Sequence, residues 1–174
     1  MVYFTSDLHL GHKAIHKYRN NKFSSQEEHD EYILDKILSL GKRDILVVLG
    51  DFIFDSDKYD YYIKRLSAAS CRIKVVMGNH DSLKLYTESI FEMQLPLFSY
   101  KNMWISHAPI HRDELRGRVG NVHGHLHKSS ITMWDDIDRL TLDPVYLNVN
   151  IDVNNYEFLT LDYIKHYFEG GFSI

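Results

Sequence analysis

The sequence holds one cysteine, three prolines and no apolar run near the length of a membrane span. The lone Cys71 excludes an internal disulfide and cannot build a thiolate zinc site, so any metal bound here must be held by nitrogen and oxygen. A membrane-spanning helix needs roughly 20 consecutive apolar residues, and the chain begins directly with strand-like Val2-Tyr3-Phe4-Thr5, without a basic lead. The expectation is a cytoplasmic protein in a reducing compartment, with no membrane partner. Positive charge is short as well: 20 Lys+Arg against 24 Asp+Glu leave a net charge of −4. That argues against an extended nucleic-acid surface, because affinity for the phosphate backbone needs a basic footprint. Internal repeats, low-complexity tracts and Pro/Gly/Ser-rich linkers are also missing. At 174 residues, 44% hydrophobic and 25% charged, the chain suits one compact domain over 1–174.

What is present is an alternation of strand and helix signals. Val2 to Thr5 reads as a first strand and Ser25 to Leu40 as a first long helix, with Ser25 and Glu28 at capping-box spacing and Gly41 as the stop. Ile45 to Leu49 is continuously apolar and β-branched, as expected of a strand covered on both faces. Asp57 to Ala69 reads as a helix with Tyr61, Tyr62, Leu66 and Ala69 towards the sheet, and Ile73 to Met77 as a third strand. This alternation predicts parallel pairing. Beyond Phe98 the strands come closer together, at 103–106, 119–122, 145–149 and 158–161, before a last helix near 161–168, so mixed pairing is expected there. The fold class is α/β: a four-layer α/β/β/α sandwich with two mixed β-sheets flanked by helices.

Five short segments carry potential metal ligands, and four of them directly follow a strand signal: Asp7-Leu8-His9, Gly50-Asp51, Gly78-Asn79-His80-Asp81, Ser106-His107 and His123-Gly124-His125-Leu126-His127. Carboxylate, amide and imidazole groups delivered by separate strand ends to one sheet edge are what a two-metal phosphoester hydrolase requires. Alternate residues of an extended chain project to one side, so Asp7 and His9 can share an ion, and His125 and His127 can serve the two ions of a pair. Asp51 is the candidate bridging carboxylate, behind a glycine that permits close approach. Asn79 offers an amide oxygen. His80, next in sequence, must point elsewhere and can face a phosphoryl group as proton donor or charge stabiliser, with Asp81 available to hold its tautomer. Each segment alone also reads as ordinary turn chemistry or a surface histidine; the set is what carries the metal reading.

In that order and spacing, Asp-x-His, Gly-Asp, Gly-Asn-His-Asp, His and Gly-His-x-His over residues 7–127 resemble the calcineurin-like metallophosphoesterases. The stretches Thr5 to Lys13 and Val149 to Asn154 look like the small, cap-less bacterial and phage branch. The resemblance implies one metal held by Asp7, His9, Asp51 and His127, a second held by Asp51, Asn79, His107 and His125, and His80 as the catalytic group. It implies a phosphodiesterase acting on a small or nucleotide-derived phosphoester. Other readings are a phosphomonoesterase or nuclease of the same family, or a noncatalytic metal-binding interaction scaffold. A donor set of nitrogen and oxygen suits manganese first, then iron, zinc or nickel.

Around these segments, Lys13, Lys17, Arg19 and Lys22, and then Arg112, Arg116, Arg118 and Lys128, form either a local cationic mouth or solvated loop charge. His12, Arg112 and Arg116 are candidate substrate contacts. His123 reads as a group behind the site or in the core, and His29 and His166 as helix-surface residues. Tyr59, Tyr61, Tyr62 and Tyr86 read as core or as an oligomer contact. The oligomeric state and the role of 108–120 as a lid stay open.

Overall fold

The structure is a computed structural model that describes residues 1–19, 22–54 and 56–170. Strand β2 (Ile45–Leu49) shows why the chain folds into layers. Its even-numbered Leu46 and Val48 enter one core with Ile33, Leu34 and Ile37 of helix α2 (Gln26–Leu38) and Tyr59, Tyr62 and Leu66 of helix α3 (Tyr59–Leu66). Its odd-numbered Val47 and Leu49 enter a second core with Phe4, Val76, Met103, Ile105 and Val122. Alternate projection along a strand therefore buries both faces, which accounts for the uninterrupted apolar run.

The first sheet has the order β11-β1-β2-β3-β4, where β1 is Val2–Thr5, β3 is Arg72–Val76, β4 is Phe91–Met93 and β11 is Leu159–Thr160. Strands β1 to β4 run parallel and β11 antiparallel. The second sheet has the order β10-β7-β6-β5, built from Leu97–Tyr100 (β5), Met103–Ser106 (β6), Gly120–His123 (β7) and Tyr146–Asn148 (β10). Its β5–β6 pair is antiparallel and the remainder parallel. Helix α4 (Leu161–Phe168) contributes Ile164, Tyr167 and Phe168 to the core between the sheets. This is the α/β/β/α arrangement of two mixed sheets. Register puts the C-terminal ends of β1, β2 and β3 at one edge, with Thr5 beside Val48 and Leu49 beside Val76.

Several details depart from expectation. A short helix α1 (Ile15–Tyr18) lies between β1 and α2. Helix α3 is shorter than 57–69 and leaves Tyr61 43% exposed, because Tyr59, Tyr62 and Leu66 already fill its buried stripe. His29 is fully buried rather than on the helix surface. Strands β4 and β5, and a separate hairpin of β8 (Thr132–Trp134) and β9 (Leu140–Leu142), were not expected. At the start of α2, Ser25 Oγ accepts from Glu28 N at 3.2 Å, whereas the Glu28 carboxylate turns back to Ser24 N rather than to the cap residue itself. Among the described residues no helix is long and apolar enough to cross a membrane.

Candidate metal centre

The loops leaving β1 and β2 continue to pair beyond the strands: Asp7 N donates to Gly50 O, His9 N to Asp51 O and Leu10 N to Phe52 O, each at 2.9 Å. Leu8 and Leu10 are driven into the core, which turns Asp7 and His9 to the other side. The backbone there is not extended. Asp7, His9, Asp51, His125 and His127 all have φ between +48° and +69°. The convergence expected from strand alternation is thus produced by left-handed residues. Such conformations cost of order 1–3 kcal/mol each for side-chain-bearing residues and persist where the surroundings over-determine them. Asp and His are among the side chains that tolerate the region best.

Two glycines let these loops close on one another. A Cβ on Gly50, which sits at φ +83°, would lie 2.3 Å from His107 Nδ1, and a Cβ on Gly124 would lie 2.5 Å from Asp7 Oδ2. Asp81 supplies further support by accepting from Gly78 N, Asp51 N, Phe52 N and Ile53 N at 2.6–3.1 Å. It staples the loops after β2 and β3, in place of the expected bond to the His80 ring, because four converging amides outcompete one imidazole. Burial nevertheless raises the Asp81 pKa.

Two groups of donors result. Asp7, His9 and His127 form one and Asp51, His107 and His125 the other, with the ligand atoms of each group within 4.8 Å of one another. Asp51 stands between them, its Oδ2 3.7 Å from His9 Nε2 and its Oδ1 3.5 Å from His107 Nε2. Asn79 Oδ1 approaches His107 Nε2 at 3.0 Å.

The electrostatics of both groups suit a cation. His107 Nδ1 donates to Leu49 O at 2.8 Å, so in the neutral ring Nε2 carries a lone pair. That lone pair faces the oxygens of Asn79 and Asp51 and, at 3.2 Å, His125 Nδ1. A cation shared among them relieves the repulsion. Both ring nitrogens of His9 are buried without a hydrogen-bond partner. Burial first, then the nearby Arg19 charge, pushes its pKa to about 2, so the ring stays neutral and able to ligate. Burial also raises Asp7 above the usual carboxylate range, a cost that a bound divalent ion would remove.

Behind the first group lies a buried chain of polar side chains that sequence reasoning did not assign. His127 Nδ1 donates to Asp152 Oδ2 at 2.9 Å, and Asp152 Oδ1 pairs with Arg19 Nε at 2.8 Å. Arg19 also donates to the carbonyls of Asp7 and Leu8 and to His29 Nε2, and His29 Nδ1 donates to Asp30 Oδ1 at 2.7 Å. The Asp152 hydrogen bond raises the His127 pKa. Burial would raise Asp152, but His127 and Arg19 together outweigh it and hold the carboxyl below its usual range. The available signal was the place of Asp152 in the stretch Val149 to Asn154, which resembles the small, cap-less branch but carries no role for this aspartate by itself.

A cavity of about 480 Å³ opens over the first group, lined by His9, His12, Phe54, His80, His127 and Lys128 among others. His80 is exposed, stacked on Phe54 at 5.5 Å and 22°, and anchored by its N–H to Asp51 Oδ1 at 2.9 Å. Neither Arg112 nor Arg116 lines this cavity: Arg112 pairs with Asp143, and Arg116 with Glu114 at 2.8 Å. Arg118 lies over the Trp104 ring at 4.0 Å.

The chain is 29% identical over 171 residues to the uncharacterized protein MJ1445 of Methanocaldococcus jannaschii, covering 98% of this chain and 92% of the other. The crystal structure of AQ665 from Aquifex aeolicus, described as a protein of unknown function, superposes with a TM-score of 0.67 at 24% identity, covering 95% of this chain and 97% of that one. The nuclease MPE of Pseudomonas putida superposes at 0.51 and 15% identity, covering 81% and 67% respectively. The family model for calcineurin-like phosphoesterases matches residues 1–166, nearly the whole length over which the two sheets and the donor groups are built, and the chain therefore belongs to that family.

Proposed function

We propose that this protein is a phosphoester hydrolase dependent on two divalent cations, and that it acts as a phosphodiesterase on small phosphoesters, nucleotide-derived ones included. The observation that carries the reading is Asp51 standing between two donor groups, one carboxylate oxygen towards His9 and the other towards His107. Asp7, His9, Asp51 and His127 would hold one ion, and Asp51, Asn79, His107 and His125 the other. Bound divalent ions would supply positive charge for the phosphoryl oxygens and a nucleophilic water near neutral pH. Manganese is the first choice for a sulfur-free set mixing imidazole and carboxylate.

The protein's own part is positioning and proton transfer. The His80 ring, exposed beside the cavity and braced on Phe54, is free to protonate the departing ester oxygen. His127 is oriented by Asp152, which leaves Nε2 towards Asp7 Oδ1 at 3.9 Å. His12 shares the cavity and is a candidate substrate contact.

The test is hydrolysis of bis-p-nitrophenyl and mono-p-nitrophenyl phosphate by the manganese-loaded protein, with His80→Ala alongside. The expected outcome is preference for the diester and a loss of about 10²–10⁴-fold in kcat for the variant with its ions retained. Preference for the monoester would replace phosphodiesterase by phosphomonoesterase. Inactivity on both would point to a metal-binding scaffold.

A further inference from the structure

The cavity over the first donor group does not end at the histidines. A second depression of about 770 Å³, lined by Lys13, Ser56 and Asp57 among others, shares three residues with it: His12, Tyr18 and Phe54. His12 lies between the other two rings. Its centroid is 4.8 Å from Phe54 at 85° and 6.0 Å from Tyr18 at 61°, both edge-on. Tyr18, the last residue of α1, is 68% exposed and makes its ring contact with His12, so most of its face is open to the cleft and solvent. Its carbonyl accepts from Lys128 Nζ at 3.4 Å, which ties it to the segment carrying His127.

We infer that Tyr18 and Phe54, with His12 as the floor between them, form a slot for a flat heteroaromatic group of the substrate, so that the site selects phosphoesters carrying a nucleobase-like substituent. This rests on the hydrolase reading, which puts the phosphoryl group over His9, His80 and His127. A substituent leaving that position along the shared cleft must pass between aromatic side chains. Those rings offer dispersion and stacking but no fixed pattern of donors and acceptors, so they select for a planar π-face rather than for one base. Substituents that are only sugar or alkyl gain little there.

The experiment compares adenosine 5′-monophosphate with ribose 5-phosphate, two phosphates that differ only in the base, by calorimetry on the manganese-loaded protein. Stacking of one base predicts on the order of tenfold tighter binding of the nucleotide. Tyr18→Ala should bring the two Kd values within about twofold of each other, and Tyr18→Phe should preserve the preference. Tyr18 is exposed, so its replacement tests the slot rather than the fold. Equal Kd values in the unaltered protein, or a preference that survives Tyr18→Ala, overturns the slot. A preference that Tyr18→Ala abolishes, in a protein inactive on both bis-p-nitrophenyl and mono-p-nitrophenyl phosphate, supports the slot and overturns the hydrolase reading instead.

Discussion

The two donor groups are built from the same residue types but supported differently. Asp7, His9 and His127 are backed by ionised and polar side chains: Asp152 behind His127, Arg19 behind Asp152 and behind the Asp7 carbonyl, then His29 and Asp30. Asp51, His107 and His125 are backed by main chain, with Leu49 O holding His107 and His80 N reaching Asp51, while His125 and Asn79 stand exposed. A main-chain partner comes with the strand and is as rigid as the sheet. A buried charge pair exists only if both partners arrive together, and removing one leaves the other unpaired in a dry interior. The first group should therefore be the more tightly coupled to folding, and the second the more readily loaded and emptied.

Asp51→Asn should have the largest effect, since this side chain alone serves both groups. Manganese uptake is expected to weaken by more than about a hundredfold at both, read as metal stoichiometry by calorimetry; loss at one group only would remove Asp51 as the bridge. Asp152→Asn should separate the groups. The first ion is expected to bind about 10–100-fold more weakly with the second unchanged, and the metal-free protein to lose about 3–5 kcal/mol in urea unfolding because Arg19 keeps its buried charge. Equal weakening of both ions would erase the contrast.

Acid should sharpen it further in the metal-free protein. Burial holds the His123 pKa down to about 4, with its Nδ1 bonded to Gly124 O, whereas an unfolded chain has histidine near 6.5. The unfolded state then binds more protons across that interval, so stability rises with pH. The His123 contribution is complete above about pH 6.5 and disappears as pH falls towards about 4, on the order of 2 kcal/mol between pH 7 and 5. His123→Asn should flatten that part of the urea-midpoint profile. The smallest stability change is expected for exposed His125→Ala: within about 0.5 kcal/mol without metal, though with weaker uptake of the second ion. A large loss of stability there would show the second group to be as structural as the first.

How far the amino-acid sequence reaches is clearest at Asp7 and Asp152. Asp7 sits beside His9 just after a strand signal, so its candidacy follows from local pattern alone. Asp152 orients His127, yet its place in the stretch Val149 to Asn154 does not reveal that role, because its partners come from the end of a helix after β1 and a loop after β7. The same division appears at Asp81, whose neighbour in sequence is His80 but whose partners are amides from two loops. Arg112 and Arg116 looked like anion contacts by charge and position and instead pair with Asp143 and Glu114.

The sequence by itself determined the layered α/β class and the order of the donor segments, because strand periodicity, buried apolar runs and strand-end polar residues are local properties. Tertiary structure alone decided which donors meet, the left-handed backbone that turns them together, and the buried Arg19–Asp152 pair behind one group. Those outcomes depend on loops from distant strands closing against one another, and hydrogen bonds across such distances leave no periodic trace in the chain.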